Sequence, residues 1–132
     1  MDKIQIRTHS RSEFIDITVE IDKIIRKSGM KEGVCYVYVP HTTAAVTINE
    51  NADPSVQKDI LNELNTIVPW DGRYTHMEGN SAAHIKSTLV GSSAFIPITG
   101  GRLALGTWQG IYFCEFDGPK NREIYVQTVK SV

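Results

Sequence analysis

Three histidines, His41, His76 and His84, could do chemistry together in this chain. His41 lies in PHTTAAVTINENADP (Pro40–Pro54), which holds three threonines, two asparagines, a glutamate and an aspartate within fifteen residues. Neutral imidazole is the commonest metal ligand and an acid–base group near neutral pH. The carboxylates of Glu50 and Asp53 could orient a metal ion or move a proton. The histidines are separated by 35 and 8 residues. No local ligand motif such as HExxH holds them, so only the tertiary structure can bring them together. Thr and Asn also build turns and caps, which is the competing reading of the same stretch. Asp53 serves both readings. Asp-Pro is a helix start, and a carboxylate accepts about four hydrogen bonds.

Two later segments add candidates. Gly100-Gly101-Arg102 could hold an anion with backbone N–H groups and a guanidinium, or be a plain hairpin turn with a surface Arg. Leu105–Gly110, LGTWQG, sets the Trp108 ring and the Gln109 amide between glycines that permit close approach. That suits a flat ring ligand, or merely a bulge.

The totals narrow the field. A length of 132 residues predicts one domain, 1–132, with a real core. A net charge of −1 encodes no pull toward nucleic acid or an anionic membrane. No apolar run approaches the roughly 20 residues of a membrane span. MDKIQIRTHSRSEF has no apolar signal-peptide region, so the expectation is a cytoplasmic protein. Cys35 and Cys114 each sit in a strand-like run without a CxxC, which reads as buried free thiols. His9 stands in a polar turn and reads as solvated.

These residues need elements to position them. Lys3–Thr8 alternates and reads as a strand, and Phe14–Ile17 as a shorter one. Thr18–Ser28 reads as a helix with Ile21, Ile24 and Ile25 inward, Asp16 or Thr18 at its start and Gly29 at its end. Val34–Val39 is nearly continuous β-branched and aromatic residues, which predicts a strand buried on both faces or central in its sheet. Ala44–Asn49 reads as the next strand. A helix from Asp53-Pro54 to Val68 has Val56, Ile60, Leu61, Leu64 and Ile67 as its apolar face. Pro69–Gly79 is an ordered loop, of a length often functional. A third helix runs from Asn80 or Ser81 to Val90, with Ala82, Ile85 and Leu89 toward the core. Ala94–Ile98, Leu103–Leu105, Gln109–Phe116 and Arg122–Val129 are strands. Pro97 marks an edge or bulge, and Asp117–Asn121 a hairpin connection. The order of elements predicts an α+β fold, mostly antiparallel.

HTTAAVTINENADPSVQKD, YTHMEGNSAAHIKSTLVG and LGTWQGIYFCEFDGPKNR together resemble the YjbQ-like family, over about Thr18 to Val129. The family is in part described as having secondary thiamine-phosphate synthase activity. The resemblance implies an antiparallel β-sandwich-like core with about three helices. It also implies a homotrimer with polar clefts around the HTTA and NSAAHIK histidines. Its motif positions here include His41, Thr42, Thr43, Asn49, Glu50, Asn51, Asp53, Tyr74, His76, Asn80, His84, Lys86, Gly106–Gln109, Asp117 and Arg122. Lys120 stands where relatives carry Arg, which weakens a bidentate anion contact.

Two functions are compatible with it. One is a weak transferase that joins a pyrimidine-methyl diphosphate to a thiazole phosphate and releases pyrophosphate. There Glu50, Asp53 and His84 are the catalytic candidates. His41, His76 and His84 hold a divalent Mg or Zn ion or the diphosphate. Thr42, Thr43, Asn51, Lys86, Arg102, Trp108 and Gln109 contact substrate. The other is a trimeric protein that binds a small phosphorylated metabolite or metal ion without turnover.

Overall fold

The computed structural model describes residues 1–132. In chain order the elements are β1 (Asp2–Arg7), β2 (Glu13–Asp16), α1 (Thr18–Ser28), β3 (Gly33–Tyr38), β4 (Ala44–Glu50) and α2 (Pro54–Ile67). They continue with α3 (Ser81–Val90), β5 (Ser93–Thr99), β6 (Arg102–Leu103), β7 (Gln109–Glu115) and β8 (Asn121–Lys130). The strands form a five-stranded sheet, β1-β8-β3-β5-β6, and a three-stranded sheet, β2-β7-β4. Every pairing is antiparallel. The fold is α+β, as the pattern predicts. No helix is long and apolar enough to cross a membrane.

The main core lies between the sheets. Val37, Ile96 and Val126 from one sheet meet Val46, Ile111 and Phe113 from the other, with Ile21 and Ile25 of α1 among them. Burying an Ile side chain stabilises by roughly 1.5–3 kcal/mol, several times any helix-propensity difference within α1. Packing therefore decides where α1 lies. Its start is fastened by Asp16, whose Oδ1 accepts from Thr18 N at 2.9 Å and Thr18 Oγ1 at 2.6 Å. Its end is Gly29 at φ 71°, a left-handed conformation that glycine adopts without a Cβ penalty.

Four local expectations change. First, β3 is central in its sheet, between β8 and β5, as one of the two readings has it, but it is not buried on both faces. Cys35 and Val37 are buried, while Tyr36 and Tyr38 are about half exposed at 46% and 49%. The outer face of the larger sheet is aromatic, with Tyr38 stacked on Tyr125 and Tyr36 tilted against Phe95.

Second, α3 buries Ala82 as expected but not Ile85 or Leu89, so its inward face is a different one. Ala82, Ala83, Lys86 and Ser87 are buried, and Ile85 and Leu89 are exposed. Small residues win because they allow a close approach: Ala83 packs with Ala45 of β4 and with Cys114 and Phe116. Third, α2 starts as expected, with Asp53 Oδ1 accepting from Ser55 N at 2.9 Å, but none of its residues is buried. Leu61 and Leu64 rest against the small cluster around Ala83.

Fourth, Asp117–Asn121 is no hairpin. β7 and β8 lie in different sheets, so the segment carries the chain from one sheet to the other. Pro97 fits its place, since β5 is flanked on its outer side by the two-residue β6. Both cysteines are buried free thiols. Burial pushes Cys35 up to about 11 and raises Cys114 further.

Candidate functional site

The crossover from β7 to β8 organises the site. Glu115 ends β7 and Arg122 lies near the start of β8. Arg122 Nε donates to Glu115 Oε1 at 2.8 Å and Nη2 donates to Oε2 at 2.5 Å. Nη2 also donates to Thr43 Oγ1 at 2.8 Å and Thr43 O at 3.4 Å. The Glu115 carboxylate further accepts from Thr8 Oγ1 at 2.8 Å and from the N–H groups of Phe116 and Asp117 at 3.0 and 3.1 Å. Burial alone would raise this carboxyl. The bonds from Arg122, Asp117 N–H and Thr8 outweigh burial and hold it below its ordinary value. The fork of Arg122 thus meets its carboxylate on two sides, the geometry that makes a buried pair tolerable.

His41 follows the end of β3, where Pro40 cannot continue the ladder. Its Nε2 accepts the backbone N–H of Glu123 at 3.0 Å. A protonated ring would present N–H to N–H there, so this bond selects the neutral ring with its proton on Nδ1. Burial first, and then the Arg122 guanidinium, push the His41 pKa below its usual value.

Asn80 sits at the start of α3, and its side chain does not cap the helix. Instead Nδ2 donates to Asp117 Oδ2 at 2.9 Å, which also receives Lys120 Nζ at 2.9 Å. Burial would raise Asp117, and the bonds and charges of Asn80, Lys120 and Arg122 leave it below its ordinary value. Asn80 Oδ1 is buried without a partner. One turn on, the His84 ring meets His76 of the long loop edge to face, at 5.4 Å between centroids and 88°.

These groups line one open cleft of about 810 Å³, whose walls carry His41, His76, His84, Asn80, Lys120 and Arg122. Thr42, Thr43 and Ser92 complete its hydroxyl lining, and Glu78 is its carboxylate. A cleft with two cations, imidazoles and hydroxyls offers donors to an anion. For a metal the fit is poorer. No three His, Cys, Asp or Glu side chains converge as a ligand set. His41 commits its Nε2 lone pair to Glu123, which leaves His76 and His84 as a pair.

The structure thus unites the three expected histidines with Thr42 and Thr43, and separates the other candidates. Glu50 ends β4, and Asn51 and Asp53 follow it, at the far end of the strand from Ala44. Trp108 and Gln109 stand with them: Asn51 N donates to Trp108 O at 2.9 Å. Gln109 Oε1 accepts from Gly106 N at 2.8 Å, closing the Gly106–Gln109 turn. The amide expected to face a ligand therefore holds its own loop, and Trp108 is 63% exposed. Asp53 accepts from Ser55, and this bond lowers its pKa; its observed work is the cap.

Arg102 lies apart, lining a separate hollow with Met30, Lys31 and Gly101. The glycine N–H groups beside it are already used, Gly100 N by Glu32 Oε1 at 3.0 Å and Gly101 N by Lys31 O at 3.0 Å, which favours the turn reading. Lys86 is buried on the side of α3 away from His84, bonded to Asn65 Oδ1 at 2.5 Å. Glu78 and Ser92 of the cleft lining, and Glu115 behind it, are the residues that sequence reasoning missed. The signal for Glu115 was a lone carboxylate inside the apolar run Ile111–Phe116.

A family model described as UPF0047 protein YjbQ-like matches residues 2–131. The chain is 56% identical over 127 residues to a UPF0047 protein of Methanocaldococcus jannaschii, covering 96% of this chain and 92% of that protein. It is 52% identical over 125 residues to UPF0047 protein YugU of Bacillus subtilis, covering 94% and 95%. Among solved structures it is similar to a YjbQ/UPF0047 family protein of Clostridium acetobutylicum, with TM-score 0.96, 50% identity and coverage of 98% and 100%. A YbjQ-like protein of Sulfolobus solfataricus superposes with TM-score 0.95 at 34% identity, covering 98% and 96%.

Proposed function

The chain belongs to the UPF0047 YjbQ-like family, and from that premise we propose that the His41 cleft binds a small phosphorylated metabolite. Its reaction is a weak transfer of the thiamine-phosphate synthase type, with release of pyrophosphate. The observation that supports this reading is the convergence of His41, Lys120 and Arg122 on one cleft. In such a transfer the carbon–oxygen bond to the diphosphate breaks and its electron pair leaves with pyrophosphate, while the lone pair of the thiazole nitrogen forms the new carbon–nitrogen bond to the pyrimidine methylene. Fixed donors that meet the developing charge lower the barrier. The Nδ1–H of neutral His41 is one such donor, and its tautomer is set before substrate arrives. Lys120, held by Asp117 at 2.9 Å, supplies a positive charge. The Nε and Nη2 of Arg122 are spent on Glu115 and Thr43, which leaves Nη1 for the cleft.

A divalent ion, Mg or Zn, would take His76 and His84 from this chain and needs further ligands from substrate or from a second copy. Glu50 and Asp53 likewise join the histidines only across a subunit boundary. The aromatic outer face of β3, β5 and β8 favours such a boundary in a homotrimer, because exposed aromatic clusters mark contact surfaces. Tyr38 of that face also lines the cleft.

The purified protein, with and without Mg²⁺ or Zn²⁺, is assayed for pyrophosphate release from a pyrimidine-methyl diphosphate and a thiazole phosphate. His41→Asn and His84→Ala are expected to lower the rate at least tenfold. Equal rates in wild type and both variants would sink the reading. Calorimetric binding of pyrophosphate without any release would establish the second reading, a binding protein without turnover.

A further inference from the structure

Lys86 is a buried ammonium without a carboxylate. It is 1% exposed. The ion pairs of the chain are Arg26–Asp22, Lys120–Asp117 and Arg122–Glu115, and none includes it. An ammonium carries three donors, and the Lys86 side chain places one, on Asn65. A charge removed from water without a counter-charge is strongly unfavourable, so buried charges are paired. Here the neighbouring charge is another cation. Burial and the Arg11 guanidinium both hold the Lys86 pKa below that of an ordinary lysine. Arg11 is itself fixed, its Cζ lying 4.2 Å from the centroid of the Trp70 ring. Between them opens a cleft of about 580 Å³, lined by Ser10, Arg11, Ser12, Trp70, Asp71 and Lys86.

We propose that Arg11 and Lys86 form a second anion site, separate from the histidine cleft, that takes one phosphate group. A planar guanidinium donates to two oxygens of a phosphate, an ammonium adds a point charge, and the serine hydroxyls can serve the remaining oxygens. Two cations against Asp71 leave one positive charge, which suits a single phosphate rather than a longer polyanion. The two clefts share no lining residue. His84 and Lys86 are two positions apart on α3, which is about 200° around a helix, so the clefts open on opposite sides of it. The proposal therefore does not rest on the reaction assigned to the histidine cleft.

The chain has two tryptophans, so Trp108→Phe leaves Trp70 as the sole indole reporter. Inorganic phosphate is titrated into this protein at constant ionic strength, with chloride as the balancing ion, and Trp70 emission is followed. A saturable change is expected. Arg11→Gln and Lys86→Met should each weaken it at least tenfold, and His41→Asn should leave it in place. Arg11 is exposed, so Arg11→Gln decides the matter even if Lys86→Met fails to fold. No saturable change, a change that survives Arg11→Gln, or a change lost in His41→Asn would each overturn the proposal. Pyrophosphate release is blind to Trp70, so the two readings fail separately.

Discussion

The imidazole of His41 accepts the backbone N–H of Glu123 through Nε2, at 3.0 Å. The bond joins the segment after β3 to the start of β8 and fixes which nitrogen carries the proton. It makes His41 a donor toward the cleft at neutral pH rather than a metal ligand.

Proton-detected nitrogen NMR at pH 7.5 should show Nδ1 protonated and Nε2 bare. On titration the folded ring should change charge below its ordinary value of 6.5, since burial and Arg122 lower it. The unfolded chain then takes its proton first. This group contributes no penalty above the unfolded pKa, and stability falls as pH drops below it, until the folded pKa is passed. A titration midpoint above 6.5 would contradict the assigned tautomer.

Glu115→Gln should destabilise by about 3–5 kcal/mol in denaturant unfolding, because it strands a buried guanidinium. The paired change Glu115→Leu with Arg122→Met should cost less than either partner's loss alone. Glu115 and Asp117 both have lowered pKa values in the fold. Their stabilisation is therefore present above the unfolded carboxylate pKa and is lost as pH falls through the folded values. Acid unfolding of the double variant should show a weaker pH dependence than wild type.

Within one copy of the chain, the carboxylates stand away from the histidines. β4 rises about 3.3 Å per residue, so Ala44 and Glu50 lie roughly 20 Å apart. Pyrophosphate affinity measured by calorimetry on a monomeric variant should change less than twofold in Glu50→Gln and Asp53→Asn. Asn retains the helix cap, so the second variant should also keep its melting temperature.

The inward face of α3 can be checked by size. Ala83→Leu should cost about 1–3 kcal/mol, because no room exists between α3 and β4. Leu89→Lys, at a position 60% exposed, should lie within about 0.5 kcal/mol of wild type. The reverse order in thermal unfolding would restore the face that the apolar spacing predicts.

The outer sheet face yields a prediction for assembly. Light scattering of the wild type should give about three times the chain mass of 14.7 kDa. Phe95→Glu should give the single-chain mass, because a carboxylate among Tyr36 and its neighbours resists burial. A wild-type protein of single-chain mass at micromolar concentration would refute the trimer.

Local signals placed most elements within a residue or two. Asp53-Pro54 marked the start of α2, Gly29 the end of α1, and alternation marked β1. These depend on neighbours in sequence, through φ limits, capping and side-chain direction. Faces were harder to read. The α3 pattern pointed to Ile85 and Leu89, yet Ala83 is inward, because close packing against Ala45 depends on a strand nearly forty residues earlier. The hairpin reading of Asp117–Asn121 failed for a related reason. Turn residues report that a chain reverses, not which sheet it enters next.

The sequence by itself determined the family, the antiparallel α+β class and the identity of the cleft histidines, because each is carried by long polar motifs or by local periodicity. Only the tertiary structure decided their company. It set His41 against Glu123 and brought Arg122 to Glu115 and Thr43. It moved Lys86 to the far side of α3 beside Arg11, and left Glu50, Asp53, Trp108 and Gln109 at the other end of β4. Those outcomes depend on sheet register and on which helix face fits a strand, and both are settled by packing between residues distant in the chain.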